Sequence, residues 1–263
     1  MSGTRSTSRP EPATRTGSEA LVIAAHGDCG GNGENVLVRE LARRLRQTGC
    51  FAEVAAGYLR CEPLIEDVVA RSECGRIRIY PLFLSDGYYV REAIPKRLAI
   101  VEGVDARGRK ITIEPPLGLH PELPRVLASA AAAAAERRGF SSKSANLLLV
   151  AHGSSKTPQS AEAANLIKDR IAKDSVFANV AVAFLEEAPL FSEALGQSAR
   201  PLLVLGLLAG GGMHATDDVQ AAVNDLGDPQ VINVAQLGGY ASIIELVVTV
   251  LCRFRQGAVP DRA

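Results

Sequence analysis

ALVIAAHGD, residues 20–28, and NLLLVAHGS, residues 146–154, are one phrase written twice: a short apolar run that ends in His-Gly. Setting His26 on His152 gives an offset of 126 residues (152 less 26), and at that offset GYLRCEP (57–63) falls on AFLEEAP (183–189). IYPLFLSDGYY (79–89) then falls on VLGLLAGGGMH (204–214) after a slip of one residue, to 125. Three blocks that match in order, with a single one-residue adjustment, indicate a duplicated domain-sized unit rather than a solenoid.

Within each half, buried strands alternate with amphipathic helices. Strands are predicted at 20–25, 52–57, 76–82 and 110–114, then at 146–151, 178–184, 201–207 and 231–234. Helices are predicted at 33–47, 62–71, 89–100 and 121–138, then at 157–172, 189–197, 215–226 and 240–255. Continuous apolar strands such as LLLV and LLVLGLL, separated by helices, call for a parallel sheet covered on both faces. The expected fold is therefore α/β: two tandem doubly wound domains, each with a parallel four-stranded sheet. The alanine-rich stretch 127–138 is a strong helix on propensity, and Gly139 ends it. The expected organisation is a polar tail over 1–19, a first domain over 20–138, a linker over 139–144 and a second domain over 145–256.

Composition narrows the class. Lys plus Arg and Asp plus Glu both number 29, so the net charge is zero and neither nucleic acid nor a membrane surface is attracted globally. No run approaches the roughly 18 apolar residues that span a bilayer. The tail, rich in Ser, Thr, Pro and Arg, reads as disordered rather than as a secretory leader. Five cysteines (Cys29, Cys50, Cys61, Cys74, Cys252) are an odd number without a C-x-x-C pair. They read as a set without a disulfide framework, suited to a reducing compartment, and the expected location is the cytoplasm.

In open parallel sheets, ligands bind beyond the carboxyl ends of the strands. Three features of the second half converge there. His152 ends the first strand, Glu186 and Glu187 follow the second, and His214 follows the third after Gly210, Gly211 and Gly212. Two imidazoles and a carboxylate on neighbouring strand ends suit a divalent transition metal. A single histidine at a strand end is equally at home as a hydrogen-bonded structural residue. The glycines serve either a turn needing positive φ or close backbone approach to a flat ligand. Ser154 and Ser155 serve either as helix N-caps or as ligand donors.

These phrases resemble the class II tetrapyrrole chelatases, in particular the two-domain sirohydrochlorin cobaltochelatase and ferrochelatase group. AHGS (151–154), AFLE (183–186) with Pro189, and LLAGGGMH (207–214) leading into Asp217 and Asp218 carry the likeness; AHGD, PLFLSDG and PLGLHP (116–121) carry it in the first half. The resemblance implies that His152 and His214 hold the incoming metal, with Glu186 assisting and taking up pyrrole protons. It implies Co²⁺, Fe²⁺ or Ni²⁺ as substrate, a tetrapyrrole as partner, and no permanently bound cofactor. An imidazole binds such ions weakly enough to release them and accepts protons near neutral pH. In the first half His26 is kept, but Arg60 stands where Glu186 does and Tyr89 where His214 does, a poor metal site. A working second half resembles the arrangement of ferrochelatases and the larger anaerobic cobaltochelatases. The first half is then expected to form the other wall of the cleft, with Arg60, Tyr88, Tyr89 and Arg91 against the macrocycle and its acidic side chains. The fused duplication stands in for a homodimer, which suits a monomer. His120, in a Pro-rich turn, reads as structural.

Two other functions compete. Histidine phosphatases also carry His-Gly after their first strand, but preceded by an arginine that grips phosphate; Ala25 and Ala151 stand there here. A non-catalytic carrier or sensor of tetrapyrrole or metal is the alternative to an enzyme.

Overall fold

The computed structural model of the chain describes residues 15–27, 36–153, 158–174, 176–207, 213–236 and 241–255, the side chains at 15–17, 213–217, 235–236 and 254–255 excepted. In the first half, β1 (Arg15–Ala25), α1 (Val36–Thr48), β2 (Glu53–Tyr58), α2 (Ile65–Arg71) and β3 (Cys74–Pro81) follow one another. A π-turn at Tyr89–Ala93 runs into α3 (Ile94–Arg97), and β4 (Lys110–Ile113) and α4 (Leu123–Arg137) complete the half. The second half repeats the order: β5 (Asn146–Ala151), α5 (Gln159–Asp174), β6 (Asn179–Phe184), α6 (Phe191–Gln197), β7 (Leu202–Gly206), α7 (Met213–Leu226), β8 (Val231–Gln236) and α8 (Ala241–Arg255). The two sheets are parallel throughout, with orders β2-β1-β3-β4 and β6-β5-β7-β8.

The duplication survives in the hydrogen bonds. Ala25 pairs with Tyr58 as Ala151 pairs with Phe184, both at the 126-residue offset. The Leu59 N–H donates to Ala25 O at 3.0 Å, and the Leu185 N–H donates to Ala151 O at 3.1 Å. The one-residue slip is equally visible: Leu82 N–H bonds Ala24 O, whereas Leu207 N–H bonds Val150 O, both at 2.7 Å. The segment joining α2 to the register-matched part of β3 is therefore one residue longer than its counterpart joining α6 to β7, and the strands themselves are in matching register.

Side-chain alternation along the central strands explains the layering. Leu21, Ile23 and Ala25 of β1 face one core, and Ala20, Val22 and Ala24 face another. Leu147, Leu149 and Ala151 of β5 join the same core as Leu21 and Ile23, while Leu148 and Val150 point to a third. This is the period-two geometry of strands buried on both faces. The shared core is filled by helices between the sheets. α1 contributes the stripe Leu37, Val38, Leu41, Ala42 and Leu45, spaced three and four apart, and α4, α5 and α8 supply the rest. α4 packs against β7, β8 and α5, and α8 packs against α1, so the last helix of each half touches the other half. The outer faces are covered by α2 and α3 on the first sheet and by α6 and α7 on the second.

Three expectations need correction. β1 begins at Arg15, five residues before the predicted start, because Arg15 pairs with Cys74 and Glu19 pairs with Arg76 along β3. The Glu19 carboxylate is tied down as well, accepting from Arg78 at 3.0 Å. The helix predicted at 89–100 is instead a π-turn followed by a short α-helix ending at Arg97. The cysteines are not all thiols: Cys50 and Cys252 form a disulfide, with Cα atoms 5.7 Å apart, bridging the segment after α1 to α8. Among the described residues, no helix is long and apolar enough to cross a membrane.

One close approach carries a sharp test. A Cβ built on Gly118 would lie 1.8 Å from the carbonyl oxygen of Leu84, so the loop after β4 is laid directly on the loop after β3. The contact is backbone, which no rotamer change relieves. Gly118→Ala is expected to destabilise the chain by about 3 kcal/mol, read as a lowered urea midpoint with an unchanged slope.

Candidate metal centre and cleft

His152 leaves the sheet at the carboxyl end of β5, where the backbone turns through Gly153 at φ 78°. A Cβ at Gly153 would lie 2.9 Å from Glu187 Cγ and 3.0 Å from Phe184 Cβ, so only glycine gives a turn this tight beside the end of β6. Gly27 does the same after His26, at φ 81°, over Tyr58 and Cys61. The His-Gly pair is thus a device for ending the central strand and leaving an imidazole at the rim.

The two rims differ in chemistry. In the second half, the Glu186 N–H donates to His152 O at 3.0 Å, fixing the loop after β6 against the loop after β5. Their side chains then meet, with His152 Nδ1 3.6 Å from Glu186 Oε2 and both about half exposed, at 50% and 58%. In the first half the Arg60 N–H makes the matching bond to His26 O at 2.9 Å, which confirms the pairing of Arg60 with Glu186. Here the imidazole meets a tyrosine. His26 Nε2 bonds the Tyr89 hydroxyl at 3.1 Å, and His26 Nδ1 lies 3.0 Å from Gly27 O. Tyr89 is held in turn by stacking on Phe83. Both ring nitrogens of His26 are engaged within the protein.

The other expected site residues fall as follows. His214 lies in the first turn of α7, and its side chain is among those not described. Ser154, Ser155, Gly210, Gly211 and Gly212 lie outside the described residues. Among the described residues, no group of three His, Cys, Asp or Glu side chains gathers closely enough to hold a metal. The described part of the centre is therefore the pair His152 and Glu186. His120 is a turn residue, with its Nδ1 accepting the Glu122 N–H at 3.1 Å. Burial holds its pKa below the usual imidazole value, against the Glu122 charge, and so keeps Nδ1 free to accept.

Between the halves lies a cleft of about 710 Å³. Its first-half wall is the loop after β3, with Ser85, Asp86, Tyr88 and Arg91, joined by Leu119 after β4. The facing wall is the start of α5, with Gln159, Glu162 and Leu166. Tyr88, Leu119 and Leu166 are large apolar side chains left 58%, 38% and 40% exposed, an apolar surface lying open at the strand ends. Of the four first-half residues expected at the ligand, Tyr88 and Arg91 line this cleft. Arg91 is held there by Asp86 at 2.9 Å. Tyr89 turns instead to His26, and Arg60 stands exposed beside that imidazole's loop. Sequence reasoning gave no ligand-facing role to Leu119, although it lies in PLGLHP, nor to Gln159, Glu162 and Leu166, which carry no motif. These residues meet only when α5 packs beside the first half.

The family model described as CbiX matches this chain twice, over residues 20–134 and again over 146–253. The chain belongs to the CbiX family. It is similar to the "Probable sirohydrochlorin cobaltochelatase" of Halobacterium salinarum, 26% identical over 222 residues that cover 76% of this chain and 75% of that one. Among solved structures it resembles CbiX, "the terminal Enzyme for Biosynthesis of Siroheme in Denitrifying Bacteria", at 27% identity and TM-score 0.70, covering 92% of this chain and 99% of that one. It shares its fold with the sirohydrochlorin chelatase SirB of Bacillus subtilis subspecies spizizenii in complex with cobalt (18% identity, TM-score 0.62, covering 91% and 97%). CbiX membership makes the chain a member of a chelatase family, and the double match puts one family unit in each half.

Proposed function

We propose that the chain is a sirohydrochlorin chelatase working from its second half, inserting Co²⁺ or Fe²⁺ into the free-base macrocycle. The observation that carries this reading is the contrast between the two rims: His152 faces a carboxylate in the open, whereas His26 is engaged by Tyr89. His152, His214 and Glu186 hold the incoming ion. Glu186 at the Nδ1 side of His152 favours the tautomer with the proton on Nδ1, which leaves the Nε2 lone pair for the metal.

Insertion trades a hydrated M²⁺ and two pyrrole N–H groups for the metallated ring and two protons. The residues need only bind the ion loosely, accept protons and orient a flat ligand. Glu186, with a second oxygen beyond the one facing His152, accepts a proton and then passes it to water. Ser154, Ser155, Gly210, Gly211 and Gly212 meet the carboxylates of the macrocycle as hydrogen-bond donors. Tyr88 and Arg91 offer the opposite wall, a ring face and a cation. A metal that binds and leaves as substrate requires no resident cofactor.

The test is insertion of Co²⁺ and of Fe²⁺ into sirohydrochlorin, followed by the absorbance change of the macrocycle and corrected for the spontaneous rate. A rate well above spontaneous with either metal supports an enzyme. Tight binding of macrocycle or metal without such a rate would make the chain a carrier instead.

A further inference from the structure

The Cys50–Cys252 bond joins residues 202 apart in sequence and crosses from one half to the other. It sits where α1 meets α8, on a seam that also carries the Arg44–Glu245 ion pair and the Thr48 hydroxyl 3.5 Å from Cys252 Sγ. The position along the sheet is equally specific. α1 runs back from the carboxyl end of β1, and the Ala52 N–H just beyond it donates to Glu19 O at 3.0 Å, near the amino end of the ordered pairing. The disulfide therefore lies at the edge of the molecule opposite His152 and the cleft.

We propose that Cys50 and Cys252 form a redox-sensitive clasp that sets how firmly the two halves are held together, and that it exchanges with a dithiol–disulfide couple. Three observations carry it. Both sulfurs belong to partly buried residues at the surface of the shared core, whereas Cys74 is fully buried and beyond such exchange. The bond spans helices of different halves, so breaking it changes the linkage between halves without deleting a residue from the site. The loop it closes is among the longest the chain allows, and constraint of the unfolded chain grows with loop length.

The chemistry balances. A thiolate of the dithiol attacks one of the two sulfurs and releases the other as a thiolate; its second thiolate then attacks the mixed disulfide. Two electrons and two protons pass to Cys50 and Cys252, and the dithiol leaves as a disulfide. Closure is the reverse, driven by the oxidised couple.

The experiment uses the full chain equilibrated in buffers of reduced and oxidised dithiothreitol. Thiols are counted in denaturant, alkylated peptides are mapped by mass spectrometry, and the thermal midpoint is measured in each buffer. Of the five cysteines, three are expected to react in the oxidised chain and five in the reduced one, with peptides 50 and 252 accounting for the difference. The oxidised midpoint is expected to be higher by roughly 10 °C. Cys50→Ser and Cys252→Ser should each give the reduced midpoint in both buffers. Five reactive thiols in the oxidised buffer, a bond that forms between molecules, or a bond that leaves the midpoint unmoved would each overturn the proposal. The thiol count and peptide map need no variant, so the test stands even if a substituted chain fails to fold. Its readouts do not involve metal insertion and are independent of the function proposed above.

Discussion

His214→Ala is expected to cut the catalysed rate of metal insertion roughly 100-fold, to near the spontaneous rate, and His152→Ala to do the same. His26→Ala is expected to change it by less than about threefold, since the proposed assignment puts His26 outside the proton and metal path. A 100-fold loss is about 2.7 kcal/mol of transition-state stabilisation, a reasonable share for one of two nitrogen ligands to a transiently held ion. The asymmetry is the informative part. His26 and His152 hold equivalent places, with the same strand end, the same following glycine and the same backbone bond from the loop after the second strand. They differ in their partners, which are Tyr89 for one and Glu186 for the other. Glu186→Gln keeps the shape and removes both a charged ligand and the proton acceptor, so it should lower the rate and also weaken metal binding, measured by titration calorimetry. A crippling effect of His26→Ala with a mild effect of His152→Ala would move the working centre to the first half and sink the assignment.

Arg109→Ala should be the most destabilising substitution away from the strands' carboxyl ends, by about 3–5 kcal/mol. Arg109 and Asp105 are each only 6% exposed at the side chain. The guanidinium donates to Asp105 Oδ2 at 2.9 and 2.7 Å and to the carbonyls of Val69 and Ser72 at 3.0 and 2.8 Å. It thus ties the loop before β4 to the end of α2. Removing it takes the counter-charge and two donors from a buried carboxylate, which keeps backbone N–H bonds at Oδ1. It also takes one donor from each of two carbonyls, and the desolvation penalty of these groups dominates the loss. The expected midpoint drop is roughly 10 °C, with insertion activity per folded molecule unchanged at low temperature. The same pair gives a pH dependence. Burial works to raise the Asp105 pKa, but the Arg109 hydrogen bonds and charge outweigh it and hold the carboxyl below the usual range. The unfolded chain therefore binds the proton more readily. The contribution is full above the unfolded carboxylate pKa of about 3.9 and is lost as pH falls through the lower folded value. Melts at pH 7 and pH 3 should show the wild type losing more stability to acid than Arg109→Ala.

How much of the molecule could be read from its letters varied with the range of the interaction. Strand β5 was predicted at 146–151 and is found there, because LLLVA has no competing helical period and is bounded by Asn146 and His152. The segment after Tyr88 was predicted as one helix and is a π-turn with a short α-helix, a local rearrangement that apolar spacing does not report. At the site, the equivalence of Glu186 with Arg60 was legible through the repeat, since an offset that aligns two halves also aligns their loops. The nearness of Glu186 to His152 was expected instead from their neighbouring strand ends and from the family resemblance. The bond between His26 and Tyr89 was not: Tyr89 was expected against the macrocycle, and Phe83 and the turn at Tyr89–Ala93 direct it to the imidazole instead.

By itself the sequence determined the duplication, the parallel α/β class and the strand-end positions of the chemistry-bearing residues, because period, propensity and the His-Gly turn act within a few residues of one another. Tertiary structure decided which groups from distant segments meet. α4 packing on β7 and β8, α5 walling the cleft, Arg78 joining Glu19 to Glu114, and Cys50 reaching Cys252 all follow from filling one apolar core between two sheets. That filling is a property of shape and volume summed over the whole chain, so no single stretch of residues announces it.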